Sequence, residues 1–130
     1  METMINSANI ANGTIHYPGH SENISEIEWV EHPKFKGVYL KHLIKGANTN
    51  GQFSSHLVKI DPNCSLDTHC HEEQWELHEV IEGQGVCNLI EETVSYHRGK
   101  IAVIPKGANH KVQASNNGLT LFAKFIPALL

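Results

Sequence analysis

Residues 67–78 read Asp-Thr-His69-Cys-His71-Glu-Glu-Gln-Trp-Glu76-Leu-His78, which packs three imidazoles and several carboxylates into one short stretch. Imidazole nitrogens and carboxylate oxygens are the donors that first-row divalent metals prefer. Side chains two apart on a strand share a face, so His69 and His71 would point the same way and Cys70 the other. Glu76 opens the next strand and would return a carboxylate to that face. Gln74 is a competing donor near the same turn, but a divalent ion favours the anionic ligand. His110 follows Pro105-Lys-Gly107-Ala-Asn109, a turn that would aim a fourth donor back at the first three. An H-x-H pair alone is as often an ordinary surface or core pair, so the register of Glu76 and His110 carries the argument. Three imidazoles and one carboxylate leave positions open on a six-coordinate ion, where water, substrate or dioxygen would bind. The set suits one divalent transition metal (Mn, Fe, Ni, Co, Zn or Cu) without choosing among them. A zinc ribbon built on Cys64 and Cys70 has the wrong spacing and too few thiolates.

Such ligands need rigid strands to hold them. Runs rich in Val, Ile, Leu, Tyr and Phe predict strands over 37–44, 53–60, 75–81, 85–90, 100–104, 110–114 and 119–126. Asp61-Pro-Asn63, Glu82-Gly-Gln-Gly85, Arg98-Gly99 and Asn116-Asn-Gly118 supply turns between them. No amphipathic helix is evident, so the pattern predicts an all-β sandwich or barrel. The first 25 residues or so are polar and weakly patterned. The expected division is an N-terminal arm with lead-in strands over 1–35 and a barrel over 36–130.

From Asn63 to Ala114 the sequence resembles the two motifs of the cupin superfamily. Asn63, His69, His71, Glu76 and Gly83 fall on the first motif; Gly99, Pro105, Gly107, His110 and Ala114 fall on the second. Asn63 stands where the family prefers glycine, and asparagine is the least costly replacement in a left-handed turn. Ala114 replaces an asparagine that is not a ligand. The resemblance implies a double-stranded β-helix, the jelly roll of a compact RmlC-like cupin, with His69, His71, Glu76 and His110 as ligands.

Alternation on the strands extends the inward face. His78, two residues beyond Glu76, would point inward just deeper than the metal, as a proton-transfer (catalytic) group, a partner orienting a ligand, or a core histidine. Likeness to compact manganese-binding cupins implies that His56, Val58 and Ile60 line the cavity. The same comparison turns Phe122, Lys124 and Ile126 inward, with Leu66 and Val112. If Leu121, Ala123 and Phe125 face inward instead, Lys124 is simply exposed.

Composition narrows the partners. A formal charge of −4 without a Lys/Arg cluster argues against nucleic acid. No apolar run is long enough for a membrane span, and the N-terminus lacks a basic region followed by an apolar stretch. Three cysteines without a C-x-x-C suit reduced thiols in a cytoplasm. Trp29, Val30 and residues 126–130 exceed what a lone barrel must cover, which predicts a homodimer with the N-terminal segment completing the partner's sheet. The leading reading is a metalloenzyme (dioxygenase-, isomerase- or lyase-type) acting on a small, oxygen-rich or anionic organic molecule. The alternative is a non-catalytic module that binds or senses a small ligand. A metal-free structural subunit is the third, and the intact ligand set counts against it.

Overall fold

Short β-branched and aromatic runs broken by Gly, Asn and Pro favour antiparallel strands over helix. The computed structural model describes residues 10–130 and is nearly all β. Ten strands run in chain order: β1 Thr14–Tyr17, β2 His20–Asn23, β3 Val30–Glu31, β4 Val38–Ile44, β5 Ser54–Ile60, β6 Ser65–His69, β7 Trp75–Leu89, β8 Glu92–His97, β9 Ile101–Ile104 and β10 His110–Ile126. Two single 3₁₀ turns, Ile24–Glu26 and Gly46–Asn48, complete the elements. β1 and β2 form a separate hairpin, while the others join in the order β3-β4-β5-β10-β7-β8, with β6 on β10 and β9 on β7. This is the jelly roll. Among the described residues no helix is long and apolar enough to cross a membrane.

The strands expected at 75–81 and 85–90 are one bent strand, β7, and those at 110–114 and 119–126 are one strand, β10. β8 was not anticipated, because Glu-Thr-Val-Ser-Tyr-His alternates weakly in polarity, and the strand expected to carry both His69 and His71 ends at His69. Asn63 has φ 62°, the left-handed conformation expected of it. Ala114 is buried in the core, and its N–H donates to the Cys64 carbonyl.

β10 corrects one expectation. On its first half His110, Val112 and Ala114 are buried; on its second half Leu119, Leu121, Ala123 and Phe125 are. Residues 115–118 stand opposite the single Gln84 of β7, because Ala114 pairs with Gly85 and Leu119 with Gly83, so β10 carries an odd excess of three residues. An insertion of this kind transfers the inward face from even to odd positions. Phe122, Lys124 and Ile126 therefore point away from the barrel interior. Phe122 packs outside, Lys124 is half-exposed and Ile126 is exposed.

Two apolar clusters result. The inner one fills the barrel with Val38, Val58, Ile60, Leu66, Val80, Val112, Leu121 and Phe125. The outer one sets Leu57, Ile81 and Leu43 against Ile24, with Ile10, Ile15, Trp29 and Phe122 packed around them. Residues from Ile10 to Trp29 thus cover part of the sheet's outer face. β3 adds to the main sheet of its own chain, pairing Val30 with Leu40. Buried Lys41 ties the two layers together, donating to the Ile24 carbonyl at 3.2 Å while its ammonium lies 5.2 Å from the Trp29 ring centroid. Positions 1–9 of the expected arm lie outside the described residues.

The bend in β7 depends on close backbone contact. Gly83 has φ 84°, and a Cβ there would collide with the Gly118 carbonyl oxygen. Gly19 has φ 91° but open space around it. Left-handed backbone alone costs about 1–2 kcal/mol for a residue with a side chain. Gly19→Ala should lose about that much, and Gly83→Ala clearly more, read as urea midpoints at constant slope. Equal losses would show that the close contact is unimportant.

Candidate metal centre

The sheet brings the four expected ligands together. His69 ends β6, His71 follows it, Glu76 is the second residue of β7 and His110 opens β10, directly across from His69. Each offers one donor atom, and these atoms all lie within 4.8 Å of one another. Two of the rings are oriented by backbone. His69 Nδ1–H donates to the Asp67 carbonyl at 2.7 Å, and His110 Nδ1–H to the Ala108 carbonyl at 3.0 Å. In the neutral rings Nε2 is then the bare nitrogen.

Glu76 supplies the constraint. Its carboxylate is 4% exposed, and Oε1 stands 3.2 Å from His110 Nε2 and 3.8 Å from His71 Nε2. Oε1 and His110 Nε2 are both buried, and neither has an aligned hydrogen-bond partner. With His110 neutral these are two bare acceptors that repel each other, and leaving them unpaired costs about 1–3 kcal/mol each; a proton on His110 would relieve part of that conflict. A cation coordinated by both removes the conflict, so the residues present fit a metal. Burial alone would raise the Glu76 pKa, but the charges of His78 and His110 beside it and the hydrogen bond from His78 overrule burial and hold it below the usual carboxylate range. Burial pushes His69 down to about 4 and lowers His71, so both are neutral at ordinary pH. His110 moves the other way: burial lowers it, yet Glu76 outweighs burial.

His78 does not border the open side of the cluster. It is 1% exposed and sits behind the carboxylate: His78 Nε2–H donates to Glu76 Oε2 at 2.7 Å. Its Nδ1 lies 2.9 Å from the buried Tyr96 hydroxyl, which also meets the Cys87 thiol. Burial raises the pKa of both Tyr96 and Cys87, so these two groups stay protonated. His78 thus stands behind the carboxylate, where a partner orienting a ligand would stand, and away from the open side of the cluster. Gln74 is also turned away, donating to the Ala128 carbonyl at 3.5 Å.

A cavity of about 350 Å³ opens beside the ligands. Leu40, Val58, Leu66, Phe125, Leu129 and Leu130 give it apolar walls, and His56 reaches it as expected. Val112 does not; it is fully buried in the inner cluster. Leu129 and Leu130, expected at a subunit interface, instead border the cavity, though both remain partly exposed. They are held there by bonds from Leu129 N–H to Ser54 Oγ, Ala128 N–H to the Gly51 carbonyl, and Gly46 N–H to the Leu130 carbonyl. His42 was missed. It pairs with His56 across β4 and β5, and the alternation of Val38, Leu40 and His42 was the available signal.

His56 is 3% exposed and its pKa is pushed down to about 4, by burial first and then by the charge of His42. The unfolded chain therefore binds a proton on this ring that the folded chain refuses. Stability from this group is full above pH 6.5 and falls as the pH drops toward 4, by about 3 kcal/mol in all. His56→Gln should flatten the dependence of the unfolding free energy on pH between 6.5 and 4. An unchanged slope would mean that His56 titrates normally.

The cupin domain profile matches residues 56–123, more than half of the chain. No curated protein matches it. Among solved structures, a predicted oxalate decarboxylase from Thermotoga maritima is 25% identical, with a TM-score of 0.71 over 79% of this chain and 95% of that one. Ectoine synthase from P. lautus is 19% identical, with a TM-score of 0.73 over 83% and 78%. KdgF from Halomonas sp. is 21% identical, with a TM-score of 0.69 over 79% and 90%. The last two likenesses establish the fold alone. With the jelly roll, the profile match and the converging histidines and glutamate in agreement, the chain belongs to the cupin family.

Proposed function

We propose that this cupin binds one divalent transition metal through His69, His71, Glu76 and His110, and that it is an enzyme acting on a small oxygen-bearing organic molecule held in the adjoining cavity. The observation that carries this reading is the buried, mutually facing pair of Glu76 Oε1 and His110 Nε2, left without aligned partners beside two further imidazoles. A bound divalent ion would supply Lewis acidity toward an oxygen of the substrate, chemistry compatible with lyase, isomerase or dioxygenase reactions. The protein's own contribution is positional. His78 fixes the carboxylate, two backbone carbonyls fix His69 and His110, and the apolar walls limit water around the reacting molecule. The likeness to a predicted oxalate decarboxylase, at 25% identity, favours catalysis over a purely structural subunit. A homodimer remains our proposal for assembly, now supported by apolar exposure at Trp75, Ile101, Val103 and Ile126 on adjoining strands.

Metal content is the direct test. Protein purified without an affinity tag should carry about one divalent ion per chain. His71→Ala should lose most of it with its β-rich circular dichroism unchanged, because His71 is a half-exposed residue outside the strands. Near-stoichiometric metal in that variant would eliminate the ligand assignment. A non-catalytic binder would show the same metal content but no turnover in a screen of small organic acids with and without oxygen.

His78→Gln probes the support behind Glu76. Removing a partner that orients a ligand typically weakens metal affinity about 10- to 100-fold. We expect a loss in that range by competition with a chromogenic chelator. Wild-type affinity would show that the bond to Oε2 does not organise the site.

A further inference from the structure

Opposite the metal ligands the cavity carries a second polar group that the metal reading does not use. His42 Nδ1 and His56 Nδ1 lie 2.8 Å apart, His56 Nε2 lies 3.0 Å from Ser54 Oγ, and Leu129 N–H reaches the same Oγ at 3.0 Å. Ser54 and His56 are buried, and His42 is half-buried. Phe125 separates this group from the ligands: its ring stands edge-on to His71 at 4.9 Å and to His56 at 5.5 Å.

The proton positions follow from counting donors. Leu129 N–H can only donate, so Ser54 Oγ accepts from it. The Ser54 hydroxyl hydrogen then has the bare His56 Nε2 as its partner. A neutral His56 with a bare Nε2 carries its proton on Nδ1 and gives it to His42 Nδ1. His42 in turn keeps its proton on Nε2, which has no protein partner among the described residues. The reverse arrangement would put two donors on Ser54 Oγ and strand a buried hydroxyl hydrogen, which costs free energy. Burial lowers the pKa of both rings, so the chain stays neutral and keeps its direction.

We propose that His42 Nε2–H is a substrate-recognition donor at the end of the cavity away from the metal ligands, so that the site takes a two-ended molecule: an acidic oxygen group for the metal, a short apolar middle lying over Phe125, and an oxygen acceptor for His42. The assignment rests on the metal-binding reading above. It adds the substrate class: short-chain acids bearing a remote keto or similar acceptor oxygen. Ser54 and Leu129 act through His56 as positioning groups. His42 also borders an outer groove beside Glu22, Glu28 and Lys45, and the tests separate that outlet from the cavity.

Two measurements decide the matter. Nitrogen-resolved NMR of the imidazoles in the metal-free protein should show His42 protonated on Nε2 and His56 on Nδ1. Ser54→Ala should scramble that pattern, and the opposite tautomers in the wild type would overturn the proposal. For ligand choice, the Zn²⁺-loaded protein is titrated by calorimetry with keto acids from levulinate upward and with the matching alkanoates. One added hydrogen bond should favour the best keto acid by about three- to tenfold. His42→Phe should erase that preference while leaving alkanoate affinity in place, and His42→Gln, which keeps a donor, should retain part of it. Equal affinity for both series, or a preference unaffected by His42→Phe, refutes the His42 assignment while sparing the metal site. Failure of both series to bind Zn²⁺-loaded protein refutes the metal-linked cavity and this inference with it.

Discussion

Two buried atoms that are both acceptors while His110 is neutral, Glu76 Oε1 and His110 Nε2, face each other at 3.2 Å, and much of the architecture around the site serves to keep them there. A side chain free to rotate would relieve that conflict by turning toward water. Neither can. Glu76 is held from behind by His78 at 2.7 Å, and His110 is held by the Ala108 carbonyl at 3.0 Å. Their strands, β7 and β10, pair along almost their whole length, from His110–Leu89 to Ile126–Trp75. The polar conflict is therefore built on the most extensively paired part of the sheet. Buried polar groups left without partners are rare and call for an explanation; a coordinated cation would supply one here.

The column behind Glu76 shows how the same strand serves two needs. Glu76, His78 and Val80 alternate inward on β7, so one face passes from ligand to support to apolar core within five residues. Each polar group in the column meets the next: Cys87 with Tyr96, Tyr96 with His78, His78 with Glu76. A buried network of this kind rigidifies only when it is satisfied throughout. The one opening in it is at Oε1, on the side where the ligands converge.

This organisation was unevenly legible in the sequence. The ligand set could be read because strand alternation and turn spacing are local, so His69, His71, Glu76 and His110 carried their register with them. The inward face of late β10 could not be carried over in that way. Its parity depends on how many residues fit between Ala114 and Leu119 against β7, a tertiary fact that reversed Phe122, Lys124 and Ile126. The N-terminal hairpin was hidden for another reason. His20-Ser-Glu-Asn23 is exposed along its whole length and shows no apolar period, whereas the buried anchors are the isolated Ile10, Ile15 and Ile24. β4 escaped a functional reading because both of its faces carry polar and apolar residues. Lys41 is buried beneath Trp29 on one face, and His42 reaches the cavity on the other side.

Charge connects the ligand set to the kind of molecule that the cavity suits. His32, His42, His56, His69 and His71, the imidazoles that line the cavity, all have pKa values lowered first by burial, so they add no positive charge near neutrality. Glu76 is the sole carboxylate among the proposed ligands. A divalent ion held by neutral rings and one carboxylate would keep a net positive charge beside walls of leucine, valine and phenylalanine. An uncompensated charge in such surroundings is costly, and an anionic oxygen ligand entering the open coordination position would remove that cost. The opposite end has no such demand, since the His42–His56 pair stays neutral and offers a dipole rather than a charge. The two ends therefore ask for different oxygens, an ionised one at the metal and an uncharged one at His42. That asymmetry would orient a bound molecule in one direction before any reaction begins.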